Sequence, residues 1–291
     1  TFGLGRLGFT LEATNNIPQA RGRGSSAEAI VAGIAAAAAF AQTGDLNRPA
    51  IFDMAAQIEG HPDNVAPAVF GGLTVTWDLE TAEGVGSVAV PGGEPLHGGF
   101  HAVNYPVDPS ITAAVFVPDY ELSTEKARQA LPRELPYKDA VYNVSRVGLL
   151  PAAMNPVVLA QAAQQGKSGV AASAQDTDTC VCADGTRESA FADELAAAQA
   201  QSNALLFTAT QDKLHQPYRG ALMPPSTELI ALFRSKGYAA AVSGAGPCVL
   251  VLHYGNAREA IDQIASEQLA SGHWRVLHLP INTAGVEIER R

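Results

Sequence analysis

Pro18-Gln19-Ala20-Arg21-Gly22-Arg23-Gly24-Ser25-Ser26-Ala27-Glu28 runs straight into an Ala-rich stretch, Ala29 to Ala41. Glycines at 22 and 24 permit positive φ and a close backbone approach. Ser25 opens a predicted helix reaching about Thr43, where Gly44-Asp45 ends it. A helix N-terminus presents unpaired N–H groups and a partial positive charge, which suits phosphate. A Ser hydroxyl placed there can also ligate Mg²⁺, as the P-loop hydroxyl does. The stretch is no Walker loop, because Gly-Lys-Ser/Thr is missing, and its spacing is wrong for a dinucleotide fingerprint. The same letters also spell a capping box, Ser25-x-x-Glu28, behind a flexible loop. Taken alone, the stretch leaves the anion cradle and the capped helix both open.

Two further stretches bear on that choice. Glu59-Gly-His-Pro-Asp-Asn-Val-Ala-Pro67 crowds four polar side chains at a Gly/Pro-broken helix end. Glu59 could complete a Mg²⁺ shell of oxygens, and His61, Asp63 and Asn64 could orient a polar substrate. An ordinary Asn/Asp-capped turn would read the same way. Ser243-Gly244-Ala245-Gly246-Pro247 sits between two apolar runs. Its backbone N–H groups could pin a phosphate or a carboxylate, or it could be a plain hairpin turn.

Composition narrows the classes. The chain has 291 residues, 47% hydrophobic and 16% charged, with a formal net charge of -10. Such a chain buries a sizeable core, and its acidity argues against a nucleic-acid partner. The three cysteines, Cys180, Cys182 and Cys248, fit neither a disulfide framework nor a C-x-x-C metal site. Free thiols in a reducing cytosol are expected, hence a cytoplasmic protein. No run reaches the roughly 18 apolar residues of a membrane span, so no membrane partner is expected.

Periodicity predicts strands at Phe9 to Glu12, Gly71 to Trp77, Ile111 to Pro118, Ala239 to Val242, Cys248 to His253 and Arg275 to Pro280. Helices are predicted at Arg48 to Glu59, Ser123 to Leu131, Ala140 to Ala153, Ala204 to Asp212, Ser226 to Lys236 and Ala257 to Ser271. Residues 166–202, poor in large apolar side chains, read as a flexible insertion, helical only toward its end. Elements mix without strict βαβ alternation, which favours α+β.

The Pro-x-x-x-Gly-x-Gly-Ser-Ser element, the acidic turn and Ser243 to Pro247 together resemble the GHMP small-molecule kinase superfamily. Within it the chain looks like the homoserine kinase branch. That likeness is carried by Ile17 to Ala29, Glu59 to Pro67, Asn143-Val-Ser-Arg146, Lys213-Leu-His-Gln-Pro-Tyr-Arg219 and Trp274 to Pro280. The resemblance implies a two-lobed α+β GHMP kinase fold. A ribosomal-S5-domain-2-like, ATP-binding half would cover residues 1–108, and a ferredoxin-like half residues 109–291, with the active site in the cleft between them. It implies transfer of the γ-phosphoryl of ATP to the side-chain hydroxyl of L-homoserine, a step of threonine biosynthesis. By the same resemblance the 18–28 stretch wraps the triphosphate, and Ser26 and Glu59 share Mg²⁺. Asp63 is the candidate base by position. Arg146 and Arg219 would take the substrate carboxylate, since a guanidinium binds it bidentately. Asp63, Asn64 and Asn143 would meet the ammonium or hydroxyl, and Gly244 would add a backbone contact. Relatives are often dimers, so a homodimer is compatible. The alternatives are a GHMP-type kinase for another small alcohol, or a relative that binds nucleotide without turnover.

The chain departs from that pattern in three places. An N-terminal motif of the type Pro-x-x-x-Ala-Asn-Leu-Gly-x-Gly-Phe-Asp is absent, which implies a natural start upstream of Thr1; a chain that truly began there should have a crippled site. The usual Leu is Arg23, and the usual Ala is Glu28.

Overall fold

The computed structural model describes residues 10, 12–15, 17, 24–41, 44–171 and 184–289. The predicted strand at Phe9 to Glu12 falls largely outside them; Thr10 and Glu12, which are described, carry no strand. The chain divides into two compact units, one holding residues 24–105 and 282–289, the other 106–281.

The first unit is built on three helices. Helix α1 (Ser25–Ala41) buries Ala27, Val31 and Ala35, one face at helical spacing. Helix α2 (Arg48–Glu59) starts at Asn47, whose Oδ1 accepts from the Ala50 N–H at 3.1 Å, and stops at left-handed Gly60. It places Ile51, Phe52, Ala55 and Ala56 against α1. Helix α3 (Val65–Phe70) adds Val65, Ala66 and Val69 to the same core. Small residues on α1 let the helices approach closely, so fully buried side chains are obtained from a sequence of mostly alanines.

Strand β1 (Leu73–Leu79) pairs antiparallel with β4 (Gly99–Tyr105), placing Val75 opposite Val103 and Trp77 opposite His101. Between them β2 (Ser87–Val88) and β3 (Leu96–His97) form a short ribbon.

Residues 282–289 return to this unit as a strap. The Gly72 N–H donates to Asn282 O at 2.7 Å and the Val286 N–H to Val69 O at 3.2 Å. Val286 joins the helical core, and Arg48 Nη2 donates to its carbonyl at 3.1 Å. Gly71 and Gly285 make this passage possible. Both have positive φ, and a Cβ on Gly285 would run into the backbone of Val69 and Phe70. The expected division at 108 contained no such return.

The second unit holds a four-stranded antiparallel sheet. Its strands are β5 (Ile111–Pro118), β6 (Ala239–Val242), β7 (Val249–Tyr254) and β8 (Trp274–Pro280), in spatial order β6-β7-β5-β8. Helix α10 (Pro224–Ser235) precedes β6, and α11 (Arg258–Ile264) with α12 (Ser266–Ala270) precedes β8. This is the strand order of a ferredoxin-like layer. Phe116, Leu229, Phe233, Val251 and Ile261 fill one side of the sheet. Val115, Val117 and Cys248 lie in a second cluster, which is why β5 is apolar and buried from Ala113 to Pro118. The predicted single helix at 257–271 is two, because the ladder restarts at Ala265.

Around this sheet stand α4 (Thr124–Gln129), capped by Ser123, α5 (Tyr137–Val147), α6 (Leu150–Met154), α7 (Pro156–Ala171), α8 (Asp184–Ala209) and α9 (Gln216–Arg219). The predicted helix at 140–153 breaks at Gly148 into α5 and α6. Within the expected insertion at 166–202, residues 172–183 are not among the described ones, and the rest is helical, more than the end alone. Helix α7 runs to Ala171, and α8 spans 26 residues from Asp184. Alanine has the highest helix propensity, and tertiary contacts hold the result. Ala198 and Leu206 are buried, Ser202 Oγ donates to Ala153 O at 3.1 Å, and Asn203 exchanges two hydrogen bonds with Tyr254.

Candidate functional site

The first cluster lies in the first unit, where α1 begins. Glu28 N–H donates to Gly24 O at 3.0 Å, the first bond of the helix. The N–H groups of Ser25, Ser26 and Ala27 therefore have no intrahelical acceptor. Gly24, at φ +71, passes the Asn64 side chain so closely that a Cβ would sit 3.4 Å from Asn64 Oδ1. The end of the Gly/Ser loop thus meets the acidic turn directly. Pro18, Gln19, Ala20, Arg21, Gly22 and Arg23 lie outside the described residues.

Ser26 Oγ donates to Glu59 Oε2 at 2.7 Å, across 33 residues of chain. Glu59 closes α2, and its side chain is only 11% exposed. His61 follows the left-handed Gly60; its Nε2 lies 3.9 Å from Glu59 Oε1, and its Nδ1 bonds Asp63 Oδ1. Asp63 Oδ1 also accepts from the Asn64 N–H at 3.1 Å, which locks the turn before α3. Asp63, at 68% exposed, is the open end of the row Ser26, Glu59, His61, Asp63. Glu28, in the first turn of α1, keeps Oε2 buried with no hydrogen-bond partner. A buried carboxylate oxygen without a donor is costly, so this atom is one place where a ligand's donor or cation would be welcome.

The two oxygens of Ser26 and Glu59 fit a hard cation. Mg²⁺ is held by one or two carboxylates, with substrate phosphates and waters filling the shell. Among the described residues no group of three or more His, Cys, Asp or Glu side chains is arranged to hold a metal alone. A shared protein–phosphate shell fits that donor set.

The second cluster lies in the second unit and centres on Asp212, which the sequence reading did not single out. Asp212 accepts from the N–H groups of Leu214 (2.9 Å), His215 (3.0 Å) and Gln216 (2.6 Å), capping α9, and from Asn143 Nδ2 at 2.6 Å. Burial works against its ionisation, but the hydrogen bonds from His215, Gln216, Asn143 and Leu214 outweigh it and hold the carboxyl well below the usual carboxylate range. Asn143 returns the favour, its Oδ1 accepting from the Lys213 N–H at 2.8 Å. Both ends of the Asn143 amide are therefore engaged within the protein.

Arg146 stacks on Tyr142, 3.5 Å from the ring centroid, and donates to Ser145 Oγ at 2.8 Å. Helix α5 thus turns its polar side to the 211–213 segment, while Tyr137 and Val144 are exposed. Arg219 donates through Nε to Ala127 O at 3.2 Å and through Nη1 to Gly244 O at 3.5 Å. Burial draws its pKa down while Asp212 opposes the shift. Its Nη2 has no partner among the described residues. Arg219 and Gly244 are thereby brought together; Arg146 is tied to Gln211 and Tyr142 instead.

The signal for Asp212 was present in the sequence: an Asp a few residues before a Pro-containing helix start, Gln216-Pro217, is a capping pattern. Its neighbour Gln211 carries no such signal.

Known proteins match this architecture. The family described as GHMP kinases N terminal domain matches residues 1–72, and GHMP kinases C terminal matches residues 189–270. The chain is 36% identical to the homoserine kinase of Clavibacter michiganensis subsp. michiganensis over 285 residues, covering 97% of this chain and 70% of that protein. It is 35% identical to the homoserine kinase of Leifsonia xyli subsp. xyli over 286 residues, covering 97% and 69%. Among solved structures, the homoserine kinase of Cytophaga hutchinsonii superposes with a TM-score of 0.62 at 19% identity, over 93% of this chain and 69% of that one, a likeness of fold. Among the described residues no helix is long and apolar enough to cross a membrane.

Proposed function

The chain belongs to the homoserine kinases, a branch of the GHMP kinases, and from that premise we propose that it transfers the γ-phosphoryl of ATP to the side-chain hydroxyl of L-homoserine. The observation that carries the residue assignment is the bond between Ser26 Oγ and Glu59 Oε2 at the open end of α1. It sets a hydroxyl and a carboxylate beside unpaired helix N–H groups, which is what a triphosphate with its cation requires.

In this reading the Gly/Ser loop, Pro18 to Glu28, encloses the phosphates, and the first-turn N–H groups of α1 hold their oxygens. Ser26 and Glu59 are the residues that would hold Mg²⁺, which when bound neutralises charge on the transferring phosphoryl. Phosphoryl transfer depends chiefly on positioning and electrostatics, so the protein's task is to align the hydroxyl. Asp63, hydrogen-bonded to His61 and largely exposed, would accept the hydroxyl proton or orient it. Asn64 would assist from the same turn.

For the amino-acid end, Arg219 is the better carboxylate partner because its Nη2 is uncommitted. Gly244 stands next to it. Arg146 and Asn143 would act chiefly by holding Gln211 and Asp212 in place, with remaining donor capacity on Arg146 for substrate.

A coupled assay for ADP release tests the proposal. L-homoserine should give turnover with MgATP well above L-threonine, mevalonate and galactose. Turnover with another of these alcohols in its place would sink the substrate assignment, and ATP binding without any turnover would leave a nucleotide-binding relative.

A further inference from the structure

The loop Ser243–Pro247 joins β6 to β7. Two of its own bonds close it: Ser243 N–H to Cys248 O at 2.9 Å and Gly246 N–H to Ser243 O at 3.0 Å. Among the described residues the N–H groups of Gly244 and Ala245 have no acceptor. Two adjacent unclaimed donors can serve an anion only if the backbone that carries them is held still.

That backbone is gripped from two sides. Arg219 Nη1 reaches Gly244 O at 3.5 Å. On the other side, Ser226 Oγ lies 2.5 Å from Pro247 O, and Tyr120 OH lies 2.7 Å from Ser226 Oγ. Ser226 is wholly buried, one of two buried polar residues among the described ones; the other, Ser202, braces α8.

Chemistry fixes the direction of each bond. A proline carbonyl can only accept, so Ser226 must donate to Pro247 O. Having spent its single proton, Ser226 Oγ must accept from Tyr120. Tyr120 must then keep its proton, and burial raises its pKa, which keeps the phenol neutral across the working pH range. The relay runs from Tyr120, two residues beyond β5, through the first turn of α10, to the end of the Gly-rich loop.

We propose that Tyr120 and Ser226 are positioning residues that hold the Ser243–Pro247 loop so that its free N–H groups meet the carboxylate of the amino-acid substrate. This rests on the reading that the loop faces homoserine.

Steady-state kinetics on Ser226→Ala, Tyr120→Phe and the double variant tests it, with homoserine and ATP varied separately. The KM for homoserine should rise about tenfold in Ser226→Ala, as expected when a contact group drifts. The KM for ATP should stay within about twofold, because the loop's role is confined to one substrate. Tyr120→Phe should shift the same constant by less, and the double variant should be no worse than Ser226→Ala alone, since both act through one chain of bonds. Tyr120→Phe loses a single hydroxyl and keeps Ser226, so it reports even if Ser226→Ala folds poorly. Parallel rises in both KM values, or additive effects, overturn the relay. L-homoserine amide separates the two layers. A wild-type enzyme that uses the amide as well as the acid overturns the substrate reading itself. A wild-type enzyme that prefers the acid, with variants that prefer it equally, overturns the relay alone.

Discussion

Ser26 is exposed, yet its hydroxyl is bound to a carboxylate that is nearly buried. That pairing makes a sharp expectation. Ser26→Ala and Glu59→Gln should each weaken the apparent Mg²⁺ affinity of turnover by about 10- to 100-fold, the usual cost of disturbing a metal shell. A Mg²⁺ titration of the rate reads it, and an unchanged midpoint would remove both residues from the metal. Asp212 gives a pH signature. Its folded pKa is depressed, so the stability it contributes is present above the unfolded value of about 3.9 and fades as pH falls through the folded one. Asp212→Asn should therefore cost about 1.5–3 kcal/mol at pH 7, the range for a hydrogen bond to a charged group. The gap between wild type and variant should stay constant down to about pH 5 and begin to narrow as urea unfolding is repeated below about pH 4. At this scale the sequence was legible where side chains cluster in short strings, as in Glu59 to Asn64. It said little where the partner is main chain. Asp212 serves three N–H groups, announced only by a general capping pattern before Gln216-Pro217, and Ser226 serves one carbonyl, which no spacing of letters announces.

Most elements were legible because their periodicity and punctuation agree. Asn47 and Gly60 bracket α2 at the residues where the pattern placed its ends. The miss was α8, since alanine, serine and glutamine give little amphipathic signal while favouring the helix strongly. What orders α8 is long-range: Ser202 to Ala153 and Asn203 to Tyr254. If the helix is an integral strut, Ala198→Pro should cost about 3 kcal/mol or more. Thermal unfolding followed by circular dichroism measures this; a change within about 0.5 kcal/mol would return the segment to the status of a loose insertion.

Across the whole molecule, the α+β class followed from the mix of helices and strands, and the ferredoxin-like layer of the second unit from the resemblance to the GHMP kinases. The return of residues 282–289 did not, because a strap without regular structure has no period to read. Its weight is testable. Gly285→Ala places a methyl against the backbone of Val69 and Phe70 at positive φ, and should destabilise the first unit by about 1–3 kcal/mol. Hydrogen exchange should quicken in α1 and α2 while β5 and β7 keep their protection; uniform loss in both units would show that the strap closes more than its own core.

The strap also imposes an order on biosynthesis. Helices α1 to α3 leave the ribosome early, but Val286 and the bonds of Asn282 arrive only after the entire second unit has been made. The helical core of the first unit must wait for its strap until residues 106–281 have been made. A premature stop codon just beyond β8 would thus spare the unit it adjoins and cripple the one encoded before it.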